Sequence, residues 1–328
     1  MPGLRALSAA VVCVAALSTA VSGASAQTAD YPSKPIHFIV PAAPGGVTDV
    51  VARALGHELG ELWNTQVVIE NRAGATNQIA AEVVAKASPD GYTLLVTPEA
   101  TFVINPYLYK TLRYDAAKDF TPISGLVAIN HALIVKNDLG VGSVAELLAL
   151  AKQKPGTISF GGYGLGSTGH LNMEMLQHEA GVKFNGVQYK GATPALTEVM
   201  GGHLDAMFIS ASSSIQPSKN GTVKLLGFGS KQPMPDHPDV PTIAETVPGF
   251  EARSWFCIVG PAGMPKEIVA KLNAAIAKVF QNPEFQARFL KPNLFTPITS
   301  SPAEFAAFIQ AESKKWKAVI EAANVKLD

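Results

Sequence analysis

Cysteine is nearly absent: only Cys13 and Cys257 occur in 328 residues. Cys13 falls within an N-terminal leader, so the mature chain keeps Cys257 alone, which excludes an intrachain disulfide and a cysteine-based metal site. Charge is also sparse. Charged residues make up 16 % of the chain, and 26 Lys+Arg balance 26 Asp+Glu, leaving no net field to attract nucleic acid or an anionic membrane. No Gly-Lys-Ser/Thr follows a glycine run, which removes a P-loop. The histidines show neither H-x-x-x-H nor H-E-x-x-H spacing, which argues against a metal centre. The longest apolar run, near the N-terminus, is shorter than the ~20 residues a membrane-spanning helix needs.

What is present is a well-buried globular chain, 47 % hydrophobic, long for one domain and comfortable for two. Arg5, the apolar run Ala6 to Ala20 and Ala24-Ser25-Ala26 form a secretory signal, with cleavage expected before Gln27 and export to the periplasm. Strands then alternate with helices: strand Ile36 to Val40, helix Thr48 to Leu62, strand Val67 to Glu70, helix Gln78 to Ala87, strand Thr93 to Thr97. This β-α-β-α-β order implies a parallel sheet covered by helices. Asn105 to Phe120 reads as loop with short helical turns. Near Asn130 the alternation restarts with strands at Leu133, Thr157, Val187, Asp205 and Val223, and Trp255 to Val259 reads as a strand returning to the first unit. The fold class expected is therefore α/β with two lobes and two crossing strands: residues 27–130 and 250–328 in lobe 1, residues 131–249 in lobe 2. Such a hinge permits closure around a ligand.

Four strand-to-helix turns are built from small residues. In Thr157 to Leu171, TISFGGYGLGSTGHL, glycines free the backbone, and Ser167 or Thr168 can cap the next helix. Val40 to Val50, Glu70 to Ile79 and Tyr189 to Leu196 repeat the arrangement. Helix N-termini offer unpaired N–H groups and partial positive charge, so such turns suit an anion. Beyond Glu70 at the end of its strand, their only charges are Asp49, Arg72 and Lys190, so a carboxylate ligand would be held largely by N–H groups, hydroxyls and water. Asp205, after Gly201-Gly202-His203-Leu204, either pins a loop or faces the cleft.

Gly164-Leu-Gly166-Ser-Thr-Gly169 matches G-x-G-x-x-G, but the acid that should hold a ribose about 20 residues on is replaced by Tyr189, Lys190 and Gly191. No nucleotide cofactor is expected. Ser167 and His170 admit a secreted hydrolase, yet the nucleophile-elbow pattern fails at Leu165, and both residues are explained as a cap and a helix-face polar group. A sensor that binds solute and signals to a membrane partner needs the same closure as a transport receptor.

Segments spread over the chain resemble a known family. They are YPSKPIHFIVPAAPGGVTD (Tyr31 to Asp49), VVIENRAGA (Val67 to Ala75), SPDGYTLL (Ser88 to Leu95), NPYLYKTLRYDAAKDFTPI (Asn105 to Ile123), GSTGHL (Gly166 to Leu171), GVQYKGATPALTEVMGGHLDAMF (Gly186 to Phe208), HPDVPTIAE (His237 to Glu245) and PGFEARSWFCIVGPAGMP (Pro248 to Pro265). The chain is similar to the periplasmic solute-binding receptors of tripartite tricarboxylate transporters, the Bug family. The resemblance implies a two-lobed periplasmic binding protein of the type II, Venus-flytrap class. It also implies a small carboxylate ligand between the lobes, no cofactor or metal, permease subunits as partners, and a monomer.

Carried onto this sequence, the family's first-lobe loop falls on Pro44, Gly45, Gly46 and Asp49. Its second-lobe positions fall on Gly166, Ser167, His170, Lys190, Gly191 and Asp205, and the neighbouring Val47, Thr168, Gly169 and Ala192 complete the ligand-binding set expected here. Two departures stand out: Ala42 replaces a bulky residue, and Gly74-Ala75-Thr76-Asn77-Gln78 replaces G-A-G-G-N. Room at Ala42 with donors and acceptors at Thr76, Asn77 and Gln78 points to a larger acid, aromatic or hydroxylated, than a simple C4 dicarboxylate.

Overall fold

The computed structural model describes residues 31–327, so the expected signal peptide lies outside the described residues. The elements run β1 (Ile36–Val40), α1 (Val47–Trp63), β2 (Val67–Asn71), α2 (Gln78–Ala85), β3 (Thr93–Pro98), then two single-turn helices, α3 (Ala100–Val103) and α4 (Asn105–Leu108). A 17-residue strand follows, β4 (Phe120–Lys136), then α5 (Val144–Gln153), β5 (Ser159–Gly162), α6 (Thr168–Ala180), β6 (Asn185–Gln188), α7 (Ala192–Met200), β7 (Ala206–Ser210), α8 (Ala211–Lys219) and β8 (Val223–Phe228). The chain ends with β9 (Arg253–Pro261), α9 (Lys266–Gln281), α10 (Pro283–Phe285), β10 (Phe295–Pro297) and α11 (Pro302–Ala323).

The strands follow the order β2-β1-β3-β9-β4-β7-β5-β6, with β8 and β10 also paired to β4. β1, β2 and β3 are mutually parallel, as are β5, β6 and β7, so each group requires helical crossovers. β4 and β9 join the groups. Residues 120–130 of β4 pair with β9 in the first lobe, and residues 131–136 pair with β7 and β8 in the second. The two-lobed α/β fold with two crossing strands is thus as expected. β4 is buried along almost its whole length, which suits its run of Val, Ile, Leu and Ala.

Three elements differ from the sequence reading. β4 starts at Phe120 and not near Leu133, because register shifts at Pro122/Ser124 and Gly125/Val127 break the alternation while pairing to β9 continues. α8 was not expected; its Ala-Ser-Ser-Ser start and internal Pro217 lower helix propensity, and burial of Ala211 and Ser214 against the sheet overrides that. Within the polar stretch before β4, the one regular turn is α4, and α3 lies just ahead of it.

One apolar cluster links the lobes. It includes Leu133, Phe160, Leu171 and Phe208 of the second lobe with Leu95, Phe102, Trp255, Phe305 and Trp316 of the first. α11 begins with a reciprocal cap in which Ser301 and Glu304 satisfy each other's backbone N–H. It then buries Phe305, Trp316, Val319 and Ile320 against α3, α6 and β4.

Candidate functional site

The register locates the site. β3 runs antiparallel to β9 with Pro98 opposite Phe256, so the carboxyl ends of β1 to β3 point toward the start of β9. β7 runs antiparallel to β4 with Ser210 opposite His131, so the carboxyl ends of β5 to β7 point to the same crossing. Loops after six strands therefore converge on the junction at Asn130, His131 and Arg253. In open α/β sheets, ligands bind outside the carboxyl ends of strands. A groove of about 630 Å³ along α1 and the edge strand β2, lined by His57, Glu61, Asn64 and Val67, lies outside this convergence.

The first loop, residues 41–46, is held by Asp49. This carboxylate is 1 % exposed and accepts from the Gly45 N–H at 2.9 Å, Arg53 Nε at 2.8 Å and Asn71 Nδ2 at 2.9 Å. The Arg53 hydrogen bond, with help from Gly45, Asn71 and the guanidinium charge, holds its pKa at about 2 against burial. Gly46 N–H donates to Ala43 O at 3.1 Å. The Gly45 and Gly46 donors are thus engaged within this segment, and Asp49 shapes the loop. The helix lacks a side-chain cap at Gly46, so its first-turn donors, from Val47 on, remain for an anion. Val47 is 45 % exposed and Pro44 is exposed. Ala42 is half-buried, its carbonyl accepting from Asn71 Nδ2 at 2.9 Å.

The second loop is strained. Gly74, Ala75, Thr76 and Asn77 all have positive φ (132°, 45°, 48° and 74°), a conformation that disfavours L-residues other than Asn. Two bonds hold it to α4 and the residue after it: Asn105 Nδ2 donates to Thr76 O at 2.7 Å, and Thr76 Oγ1 lies 2.7 Å from Tyr109 Oη. Asn77 is half-buried, and Gln78 is buried at the start of α2, which has no side-chain cap.

In the second lobe the glycine-rich turn is nearly self-satisfied. Ser167 Oγ accepts from His170 N–H at 3.3 Å, Ser167 N–H donates to Gly164 O at 3.0 Å, and Gly166 N–H donates to His170 Nδ1 at 3.1 Å. Gly169 N–H faces the Tyr163 hydroxyl, and a Cβ at Gly169 would lie 2.1 Å from that ring. His170 is 5 % exposed and burial lowers its pKa, which fits a neutral ring accepting at Nδ1, with Nε2 3.5 Å from Glu174. His170 and Gly169 therefore brace the turn. The imidazole is committed to Gly166 and Glu174, so it does not activate Ser167. Half-buried Thr168 opens α6 and donates its hydroxyl to Glu99 of the first lobe at 3.4 Å.

α7 starts at Gly191 and Ala192 without a side-chain cap, beside exposed Lys190. Arg53 and Arg72 pair with Asp49 and Glu70, whereas Lys190 has no carboxylate partner among the described residues. Of the two roles open to Asp205, its contacts are those of the structural one. It lies at the opposite end of β7, where its carboxylate accepts from Ser159 N–H and hydroxyl at 2.7 and 2.8 Å and pairs with Lys136 at 3.0 Å. Burial opposes ionisation there, but these partners lower its pKa. Asp205 ties β5 to β7 away from the junction.

Two groups at the junction escaped sequence reading. α8 begins with Ser210, Ser212 and Ser213 and no side-chain cap, with Ser210 Oγ 2.7 Å from Ser213 Oγ. Glu99, just after β3, is 1 % exposed, and burial pushes its pKa up to about 7. An acid directly after a strand, in Thr-Pro-Glu-Ala, was the available signal. No group of His, Cys, Asp and Glu able to hold a metal occurs among the described residues, and no helix there is long and apolar enough to cross a membrane.

Residues 51–325 match the model of the tripartite tricarboxylate transporter family receptor. The chain is 32 % identical to protein BugT of Bordetella pertussis (strain Tohama I) over 313 residues, covering 95 % of this chain and 96 % of BugT. Among solved structures it is similar to an R. palustris protein with adipate (33 % identity, TM-score 0.78, 90 % and 99 % of the two chains). It is also similar to MatC from Rhodopseudomonas palustris with bound malate (29 % identity, TM-score 0.72, 88 % and 100 %).

Proposed function

Because the chain belongs to the tripartite tricarboxylate transporter receptor family, we propose that it is a non-catalytic receptor capturing a small carboxylate at the junction of its lobes for delivery to membrane permease subunits. The observation that carries the ligand class is the convergence of uncapped helix starts, α1 and α2 from one lobe with α7 and α8 from the other, on a region whose unpaired cation is Lys190. Such donors complement a carboxylate at each end of a solute. The related proteins with adipate and malate support an acid of this kind. The ligand set we assign is Val47 and Thr48 from the first loop, Thr76 and Asn77 from the second, Thr168, and Lys190 with Gly191 and Ala192, joined by Ser210, Ser212 and Ser213.

The lobes divide at the crossing, residues 27–130 and 250–328 against 131–249, in keeping with β4 passing between sheets at Asn130 and His131. The receptor acts in the periplasm as a monomer after cleavage before Gln27. The small side chain of Ala42 and the polar side chains of the second loop favour an aromatic or hydroxylated acid.

Native mass spectrometry of the exported protein identifies a co-purified ligand and the mature N-terminus together. Calorimetry then ranks adipate, malate and an aromatic acid. A carboxylate recovered unchanged supports the receptor; turnover of that compound, or failure of every carboxylate to bind, overturns it. Ala42→Phe should weaken an aromatic acid more than malate, and equal effects would remove Ala42 from the pocket.

A further inference from the structure

Glu99 belongs to neither the loop struts nor the ligand set, yet it occupies the point where the lobes meet. Its Oε2 accepts from Trp255 N–H at 3.0 Å, and its own N–H donates to Trp255 O at 2.9 Å, fixing it to the start of β9. Its Oε1 accepts from the Thr168 hydroxyl at 3.4 Å, a bond from the other lobe. The Ser254 hydroxyl also bonds to it, and Ser254 Oγ lies 3.0 Å from His131 Nε2, whose Nδ1 lies 3.0 Å from Asn172 Nδ2 on α6. A buried polar chain thus runs from the end of β3, through both crossing strands, to the second lobe. No Lys or Arg lies within ion-pair distance of Glu99 among the described residues, and another carboxyl, Glu312, which accepts from the Trp255 indole N–H at 3.1 Å, also disfavours its ionisation. An ionised carboxylate buried without a cation is costly, while its acid form keeps the acceptor bonds.

We propose that Glu99 is a proton-binding site at the hinge, so that closing the lobes takes up a proton and opening them releases it. This rests on the reading that the cleft opens and closes around a solute. Opening withdraws Thr168 and the positive end of α6 but admits water, and hydration of the carboxylate, reversing the largest cause of the shift, returns the carboxyl toward ordinary acidity. The closed form then binds more protons than the open one. Closure is favoured in acid and weakens as pH rises through the closed-form value, which the structure puts at about 7.

Burial also shifts the other titratable groups around Glu99. Burial pushes Tyr163 and Cys257 up, keeping both neutral. Burial lowers His131 to about 4, so it stays uncharged. His170, on the same turn, is also lowered by burial. Glu174 is raised by burial but faces His170. Thr97 and Thr101, beside β9, are neutral hydroxyls bonded to each other at 2.6 Å.

Small-angle scattering of the ligand-free mature chain from pH ~5.5 to ~8.5 tests the proposal; with an open-form carboxyl near the usual ~4.3, the closing constant should fall roughly thirtyfold. The radius of gyration should rise with a midpoint near 7, and Glu99→Gln, a neutral isostere, should stay compact throughout. Glu312→Gln should move the midpoint to lower pH by removing the facing charge. Calorimetry with adipate in phosphate and Tris buffers should register proton uptake that is lost in Glu99→Gln. A wild-type radius independent of pH, or a Glu99→Gln profile that follows the wild type, overturns the proposal. If Glu99→Gln fails to fold, Thr168→Val decides: it removes a donor to the carboxylate and should shift the midpoint to higher pH, and an unchanged midpoint counts against the link. Failure of adipate to bind bears on the ligand class alone, because the scattering series contains no ligand.

Discussion

Asp49 accepts the N–H of Gly45, four residues earlier, so the first turn of α1 holds the loop that leads into it. Replacing Asp49 by Ala should destabilise the chain by ~1–3 kcal/mol, mostly from the Gly45 and Asn71 donors left unpaired; half-exposed Arg53 contributes little. A carboxyl held at about 2 stabilises the fold above its unfolded value, and that contribution is lost as pH falls through about 2. Urea denaturation should therefore separate wild type from Asp49→Ala at neutral pH and bring them together near pH ~2. Equal midpoints at neutral pH would show that the loop stands without this carboxylate.

The left-handed run at Ala75 predicts a gain from glycine. A Cβ at positive φ costs roughly 1–2 kcal/mol, and the added freedom of glycine in the unfolded chain returns part of that. Ala75→Gly should stabilise the protein by about 0.5–1 kcal/mol in urea, since Ala75 is exposed and makes no side-chain hydrogen bond. A loss of stability would mean that the run is set by contacts of the Ala75 methyl and not by the bonds from Asn105 and Tyr109.

Much of the fold was legible because helix and strand periods alternate cleanly through β1 to β3 and β5 to β7, and parallel pairing follows from that alternation. The crossing strand was only half visible: register shifts beside Pro122 and Gly125 hide in sequence what pairing to β9 restores. At the site, the turns could be found from glycine and helix starts, but which donors remain free could not. Asp49, Gly45 and His170 look the same in sequence whether they meet a ligand or each other, and the distinction depends on distances of about 3 Å set by tertiary packing. The two roles open to Asp205 could not be told apart for a related reason: the chain direction of β7 decides which end faces the junction, and that is fixed only by its antiparallel pairing to β4.

Lys190 should contribute through charge more than through a fixed bond, since it is exposed at the edge of the second lobe. Lys190→Gln is expected to weaken adipate binding by about three- to tenfold at low salt, equivalent to ~0.6–1.4 kcal/mol. The difference should shrink as ionic strength shortens the screening length to ~3 Å at 1 M. Calorimetry at two salt concentrations reads this directly, and a salt-independent loss would instead indicate a desolvated contact.

Gly166 and Leu108 face each other across the lobes. A Cβ on Gly166 would lie 2.5 Å from Leu108 Cδ1, and its φ of +75° independently disfavours any side chain. Gly166→Ala should cost ~1–3 kcal/mol, part from the clash and part from the backbone. Leu108 is 3 % exposed, so Leu108→Ala should cost ~2–5 kcal/mol through the space it leaves. Together the two changes should cost less than their sum by ~1 kcal/mol or more, because the new methyl enters the vacated space while the backbone penalty persists. Urea denaturation of the four proteins in the cycle measures this coupling. Simple additivity would show that the two residues do not touch in solution, and that the lobes rest further apart than the contact between Gly166 and Leu108 requires.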